Sequence, residues 1–233
     1  MLRRTQQIML KRTLESEVMD SSEEALVYDQ MDHASVNRLF VNDLLAAGLP
    51  AGETLDLGTG SARIPIELCQ RSETARVVAV DLSINMLDTA KINLELANLT
   101  DRILLDHIDA KQLPYGDNRF QLVMSNSIVH HIPDPQPVIR DAVRVTAEDG
   151  LLFFRDLMRP DNEEQLEGLV ELYAGSESEF GRQMFHDSLH AALSLNEIRA
   201  LIKDLGFPAD SVQPTSDRHW TWIGRPQPLN KQA

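Results

Sequence analysis

Short apolar runs alternate with amphipathic ones through most of the chain. Thr54–Leu57, Arg76–Val80, Ile103–Ile108, Gln121–Ser125 and Leu151–Arg155 are four to six residues long and dominated by Val, Leu, Ile and Phe, which predicts buried strands. Between them Ile64–Gln70, Ile84–Asn98 and Pro137–Val145 carry apolar residues at helical spacing. Strand and helix in regular alternation predict a doubly wound, mostly parallel sheet with helices on both faces. Upstream, Val36, Leu39, Phe40, Leu44 and Leu45 fit a helical stripe. Downstream, "SLNEIRALIKDLGF" offers a Ser194 cap, a stripe of Leu195, Ile198, Leu201, Ile202 and Leu205, and a stop at Gly206, followed by a final hairpin within Val212–Ile223. From Asp161 to His190 the pattern is weaker: one helix through Leu166, Leu169, Val170 and Leu172, then an irregular acidic stretch of the kind that covers a site.

Composition narrows the class. With 233 residues, 42% of them hydrophobic, the chain suits one large domain. Its expected parts are an N-terminal helical cover (1–50), a core (51–160), a lid or insertion (161–190) and a C-terminal helix with strands (191–233). The formal net charge of −14 repels polyphosphates, which disfavours nucleic acid as partner. A single cysteine, Cys69, excludes a disulfide framework and a Cys-rich metal site, and points to a reducing, cytoplasmic setting. No apolar run is long enough to span a bilayer, and "MLRRTQQIMLKR" lacks the apolar block of a secretory signal; it reads as a frayed or docking terminal arm in preference to an amphipathic targeting helix.

"LDLGTGSARIPIELC" ends a strand in Gly58-Thr-Gly60 and opens a helix, letting backbone approach a ligand at the helix N-terminus. A dinucleotide fingerprint would place a third glycine where Arg63 stands and has no need of Asp56. Read as Asp-x-Gly-x-Gly-x-Ala, ending at Ala62, the stretch resembles the first motif of the class I S-adenosylmethionine-dependent methyltransferases. "VVAVDLS", "HIDAKQLPYGDNRFQLVMSNSIVHHIPDP" and "DGLLFFRDLMRP" are similar to that family's later strand ends, in order, so the resemblance covers roughly Tyr28 to Trp222. It implies a seven-stranded Rossmann-like sheet with an insertion after the fifth strand, and S-adenosyl-L-methionine as cofactor. It also implies residue roles: Gly58 and Gly60 pass the methionine part, Asp56 steadies the turn, and Asp81 takes the ribose. Leu82 and Met86 flank the adenine, Asp109 and Ala110 meet its edge, and Ser125 and Asn126 close the fourth strand beside the cofactor. "YDQMDH" is similar to an element of the menaquinone and ubiquinone C-methyltransferases and places Tyr28 over the site.

Ser125-Asn126-Ser127-Ile128 stands where amino-methylases carry Asn/Asp-Pro-Pro-aromatic and where catechol-type enzymes carry metal-binding acids. The resemblance therefore implies a metal-free methyl transfer to a small-molecule acceptor, with a homo-oligomer neither required nor excluded. Two other readings stay open: a protein that binds the cofactor without turnover, and an enzyme that uses a modified form of it. For proton transfer His131, Asp156 and Tyr28 are the candidates, and His130, His33 and His186 are the other histidines the sequence offers. His130 and His131 have a plain structural role as the rival reading, and Asp156 could pair with Arg159. Of Trp220 and Trp222, one is expected in the core and the other against the acceptor. The segment with Tyr28 and His33 and the stretch Tyr173–His190, with Phe180, Phe185 and His186, are expected to close over the cofactor together.

Overall fold

A computed structural model of the chain describes residues 10–15 and 34–226. Its elements run α1 (Ala34–Ala46), β1 (Glu53–Leu57), α2 (Arg63–Arg71), β2 (Arg76–Asp81), α3 (Ile84–Ala97), β3 (Ile103–His107), β4 (Phe120–Asn126), α4 (Gln136–Val145), β5 (Thr146–Leu157), α5 (Glu163–Ala174), α6 (Glu179–Ala191), α7 (Leu195–Asp204), β6 (Val212–Pro214) and β7 (His219–Gly224), with one 3₁₀ turn at Val129–His131 and another at Ala209–Ser211. The seven strands form one sheet in the order β3-β2-β1-β4-β5-β7-β6. Neighbours from β3 through β5 are parallel, whereas β7 runs antiparallel to both β5 and β6. The doubly wound sheet, the insertion after the fifth strand and the final hairpin match the sequence expectation.

Side chains that alternate along each strand feed two separate apolar layers. Leu55, Leu57, Val78, Val80, Val123, Leu152 and Phe154 face α4 and α7 through Val138, Ile139, Ala142, Ile198 and Ile202. Val77, Ala79, Leu122, Met124, Leu151 and Phe153 face the other way, against Phe40 and Leu44 of α1, Leu68 of α2, and Ala90 and Leu94 of α3. Arg155 adds a polar clamp on this second face: it donates to Thr221 Oγ1 at 2.8 Å and to Asp43 Oδ2 at 2.6 Å, which ties α1 to β5 and β7.

Two expectations are corrected. Trp220 and Trp222 are both fully buried in the first layer, because residues i and i+2 on a strand share a face, so neither is available to wall an acceptor. The stretch Tyr173–His190 is not irregular: it finishes α5 and then forms α6, started by Ser178, whose hydroxyl accepts from Gly181 N–H at 3.1 Å. Its inward side is small, with Gly181, Leu189 and Ala191 buried, which leaves little apolar periodicity to read. A third, minor apolar cluster of Leu10, Leu157, Leu166, Val170, Leu189 and Ala192, joined by Phe185, holds this helical pair and residues 10–15 against the end of β5.

At α7 the capping box is complete: Glu197 N–H donates to Ser194 Oγ at 3.3 Å and Ser194 N–H donates to Glu197 Oε2 at 2.7 Å. Ser194→Ala is expected to cost about 1 kcal/mol of stability, the usual scale for a lost cap, measurable as a lower urea midpoint at unchanged m-value.

Candidate functional site

In the order β3-β2-β1-β4-β5 the chain reverses direction across the sheet between β1 and β4, and such a switch opens a crevice beyond the strands' carboxyl ends. The candidate residues gather along that edge. Gly58 and Gly60 follow β1, Asp81 and Leu82 follow β2, Asp109 and Ala110 follow β3, Ser125 and Asn126 close β4, and Asp156 lies near the end of β5.

The glycine turn is built by its backbone angles. Gly58 and Gly60 have φ of +69° and +55°, where an L side chain is strained. Gly58 and Thr59 N–H both donate to Val80 O at 2.9 Å, and Asn93 Nδ2 donates to Ser61 O at 3.0 Å, so β2 and α3 hold the loop in place. A Cβ on Gly58 would stand 2.7 Å from Ile128 Cδ1, whereas one on Gly60 would meet nothing within 4 Å. The turn is therefore packed behind Gly58 and open in front of Gly60.

Asp81 bridges two loops. Its Oδ2 accepts from Gly60 N–H at 2.7 Å and its Oδ1 from Ser83 N–H at 2.9 Å. Burial raises the carboxyl above its ordinary value, against the pull of the backbone donors of Ser83, Gly60 and Leu82. Asp56 is more deeply enclosed on β1, and burial pushes it up to about 7. Met86 N–H donates to the capping Ser83 Oγ at 3.3 Å and its side chain is buried, while Leu82 is exposed at the rim and its carbonyl accepts from His107 Nε2 at 2.9 Å. Asp109 holds its own turn by accepting from Lys111 N–H at 2.9 Å, and Ala110 joins the apolar layer behind it. On β4 Ser125 Oγ donates to Leu57 O at 3.0 Å, and Asn126 Oδ1 is buried with no hydrogen-bond partner.

Beyond β4 the chain passes through Ser127 at φ +60° into the 3₁₀ turn that carries both histidines. His130 Nδ1 lies 2.5 Å from Asp156 Oδ1; Val129 N–H donates to Asp156 Oδ2 at 2.6 Å and Leu157 N–H to Oδ1 at 2.7 Å. The carboxylate is thus fixed by two backbone donors and pairs with His130, not with Arg159, which instead holds Glu197 at 2.8 Å. Burial works against the charged form of His130, yet the Asp156 carboxylate outweighs it and raises the imidazole above its ordinary value. His131 stacks on His130 with ring centroids 4.1 Å apart and does not reach Asp156.

Residues 10–15 run beside this turn. Arg12 donates to Ala191 O at 2.6 Å, Pro133 O at 2.9 Å, Ile132 O at 2.9 Å and His130 O at 3.2 Å, and Leu10 N–H donates to Asp161 O at 2.9 Å. Of the arm expected from the sequence, residues 10–12 are docked here and residues 1–9 lie outside the described residues. Glu15, at their end, faces both histidines, at 3.0 Å from His131 Nδ1 and 3.5 Å from His130 Nε2. Sequence reading missed this meeting, since 115 residues separate Glu15 from His130 and nothing periodic links them. Tyr28 and His33 lie outside the described residues. Phe185 packs into the minor cluster, Phe180 is half exposed, and His186 sits 3.1 Å from Asp187 Oδ1 and 3.8 Å from Glu167 Oε1.

Residues 55–154 match the family described as methyltransferase domain. A 27-O-demethylrifamycin SV methyltransferase of Amycolatopsis mediterranei is 29% identical over 180 residues, 76% of this chain and 62% of its own length. A malonyl-acyl-carrier-protein O-methyltransferase of Geobacter sulfurreducens is 30% identical over 169 residues, 72% of this chain and 60% of its own. The chain thus spans about three fifths of the length of these curated relatives. In fold it is similar to a crystallised protein of Methanococcus maripaludis described as a proposed S-adenosyl-L-methionine-dependent methyltransferase, with a TM-score of 0.70 at 20% identity, covering 92% of this chain and 97% of the other. Among the described residues no helix is long and apolar enough to cross a membrane.

Two checks follow from the turn. Gly60→Ala is expected to cost only the ~1–2 kcal/mol of a left-handed alanine, while Gly58→Ala adds the Ile128 collision and lowers the melting temperature further. The Asp56 carboxyl titrates near 4 in the unfolded chain and at about 7 in the folded one, so its contribution to stability is present at low pH and falls as pH rises through that window. Asp56→Asn removes this fall: the variant's unfolding free energy relative to the parent is expected to increase between pH 4 and 7.5 in urea titrations.

Proposed function

We propose that the chain, whose residues 55–154 match a methyltransferase domain, transfers a methyl group from S-adenosylmethionine to a hydroxyl oxygen of a small-molecule acceptor, without a metal ion at the reacting centre. One observation carries the oxygen acceptor: the buried His130–Asp156 pair, at the carboxyl edge of β4 and β5 where an acceptor reaches the crevice. The first two relatives described above also act on oxygen by their names.

The residues present fit the cofactor. Gly60 leaves open space in front of the turn, and Asn126 Oδ1 is a buried acceptor without a donor at the same edge. Gly58, Gly60 and Asn126 would hold its amino-acid end, Asp81 its ribose, and Leu82, Met86, Asp109 and Ala110 its adenine, with Asp56 and Ser125 supporting the turn and the strand from behind. S-adenosylmethionine supplies a methyl group on a sulfonium, open to in-line displacement. Little covalent help is then needed from the protein, which aligns the acceptor and excludes water. His130 takes the hydroxyl proton at Nε2 while Asp156 keeps Nδ1–H in place and stabilises the imidazolium. This reading assigns the base to His130 in place of His131, because only His130 reaches the fixed carboxylate. Residues 10–15 with the α5–α6 pair form the cover on the acceptor side of a single domain.

Incubation with methyl-labelled cofactor and a metabolite extract should give a labelled small product that is lost under mild conditions only if it is an ester. No labelled product, with the cofactor bound, would favour a binding protein. Asp81→Ala should weaken S-adenosylhomocysteine binding by about 1.5–3 kcal/mol in calorimetry. His130→Asn should lower kcat by ~10²–10⁴ while leaving cofactor affinity unchanged, and EDTA should not lower turnover.

A further inference from the structure

We propose that Glu15, His130 and His131 form a binding site for a divalent transition-metal ion, best suited to Zn²⁺, which clamps the N-terminal arm onto the histidine turn and holds the enzyme inactive. The three side chains bring their ligand atoms within 4.8 Å of one another. Glu15 Oε1 is 3.0 Å from His131 Nδ1 and 3.5 Å from His130 Nε2. Ligand atoms bound to one Zn²⁺ at the usual ~2.0–2.1 Å sit about 3.3 Å from each other in a tetrahedron, so this spacing needs little adjustment. His131 Nδ1 is buried and makes no hydrogen bond, although the Glu15 oxygen is that close. Two acceptor-capable atoms that approach without aligning on each other are arranged as ligands to a common centre are.

The supporting shell is also present. A metal-bound imidazole is ordinarily held through its other nitrogen by a carboxylate, and His130 Nδ1 has Asp156 at 2.5 Å for that purpose. Glu15 is oriented by Ser188 Oγ, which lies 3.2 Å from each of its carboxylate oxygens. Arg12, bonded to the carbonyls of His130, Ile132 and Pro133, fixes the arm that brings Glu15 there. Two imidazoles and one carboxylate favour Zn²⁺, Co²⁺ or Ni²⁺ over Mg²⁺ or Ca²⁺, and three protein ligands leave a fourth position for water. Such an ion would occupy Nε2 of His130, the atom assigned above to the acceptor proton, so the inhibitory effect rests on that reading whereas binding of the ion does not.

The probe is Co²⁺ added to the untagged protein without cofactor, read by visible absorption and calorimetry. One equivalent is expected to bind with the intense d–d bands of a four- or five-coordinate nitrogen and oxygen site, and Zn²⁺ should displace it. Glu15→Gln, and independently Glu15→Ala, should bind at least tenfold more weakly and keep the parent circular dichroism, and whatever turnover each variant has should no longer fall on addition of Zn²⁺. Absence of such bands in the parent, or equal affinity in both Glu15 variants, would overturn the site. Metal binding that is lost in the variants, in a protein that transfers no methyl group, would keep the site and reject the proposed activity instead.

Discussion

The site depends on the contact between Asp81 and the amide of Gly60. Gly60 sits in a left-handed turn at the end of β1 and Asp81 at the end of β2, and the 2.7 Å bond between them fixes how far the glycine loop stands from the neighbouring strand end. The same carboxylate caps the approach to α3 through Ser83 N–H, so one side chain sets the relative position of two loops and a helix. Burial costs the charged form some of its advantage, and three backbone donors return part of it. A carboxylate oxygen accepts more than one hydrogen bond, so Asp81 keeps capacity for a partner rich in hydroxyl donors. The negative net charge of the chain works in the same sense by disfavouring polyphosphate ligands at the same turn.

Opposite the glycine turn, β4 and β5 present a different chemistry. Asp156 is locked by two backbone amides before it meets His130, so the imidazole is held by a rigid acceptor. The arm crosses this pair from outside. Arg12 binds successive carbonyls of the histidine turn, and Arg159 binds Leu10 O at 3.0 Å and Ala192 O at 2.6 Å. The glycine turn and the histidine turn with its arm are thus built from separate segments, which meet where Ile128 packs behind Gly58.

The sheet was readable because both its faces are covered: strands buried on both sides appear as unbroken apolar runs, and the five parallel strands were found within a few residues of their ends, β5 being the exception in extending back to Thr146. The residues expected at the cofactor could be placed along one edge of the sheet because each lies within a few positions of a strand's carboxyl end. What escaped were relations across long separations or without periodicity. Helix α6 turns a Gly181, a Leu189 and an Ala191 inward, too little apolar area to mark a helix. Two adjacent histidines on a 3₁₀ turn cannot be ranked by sequence, since only the fold decides which ring meets Asp156. Trp220 and Trp222, two positions apart on one strand, share a face and so are buried together.

The central claim, that the Asp81-braced glycine turn is the cofactor seat, is tested most directly by a crystal structure with S-adenosylhomocysteine bound. The account predicts the ribose hydroxyls within hydrogen-bond distance of Asp81 while Gly60 N–H remains bonded to it, and the amino-acid end passing Gly60 toward Asn126. Cofactor seated away from the β1–β4 crevice, or a ribose that makes no contact with Asp81, would contradict it.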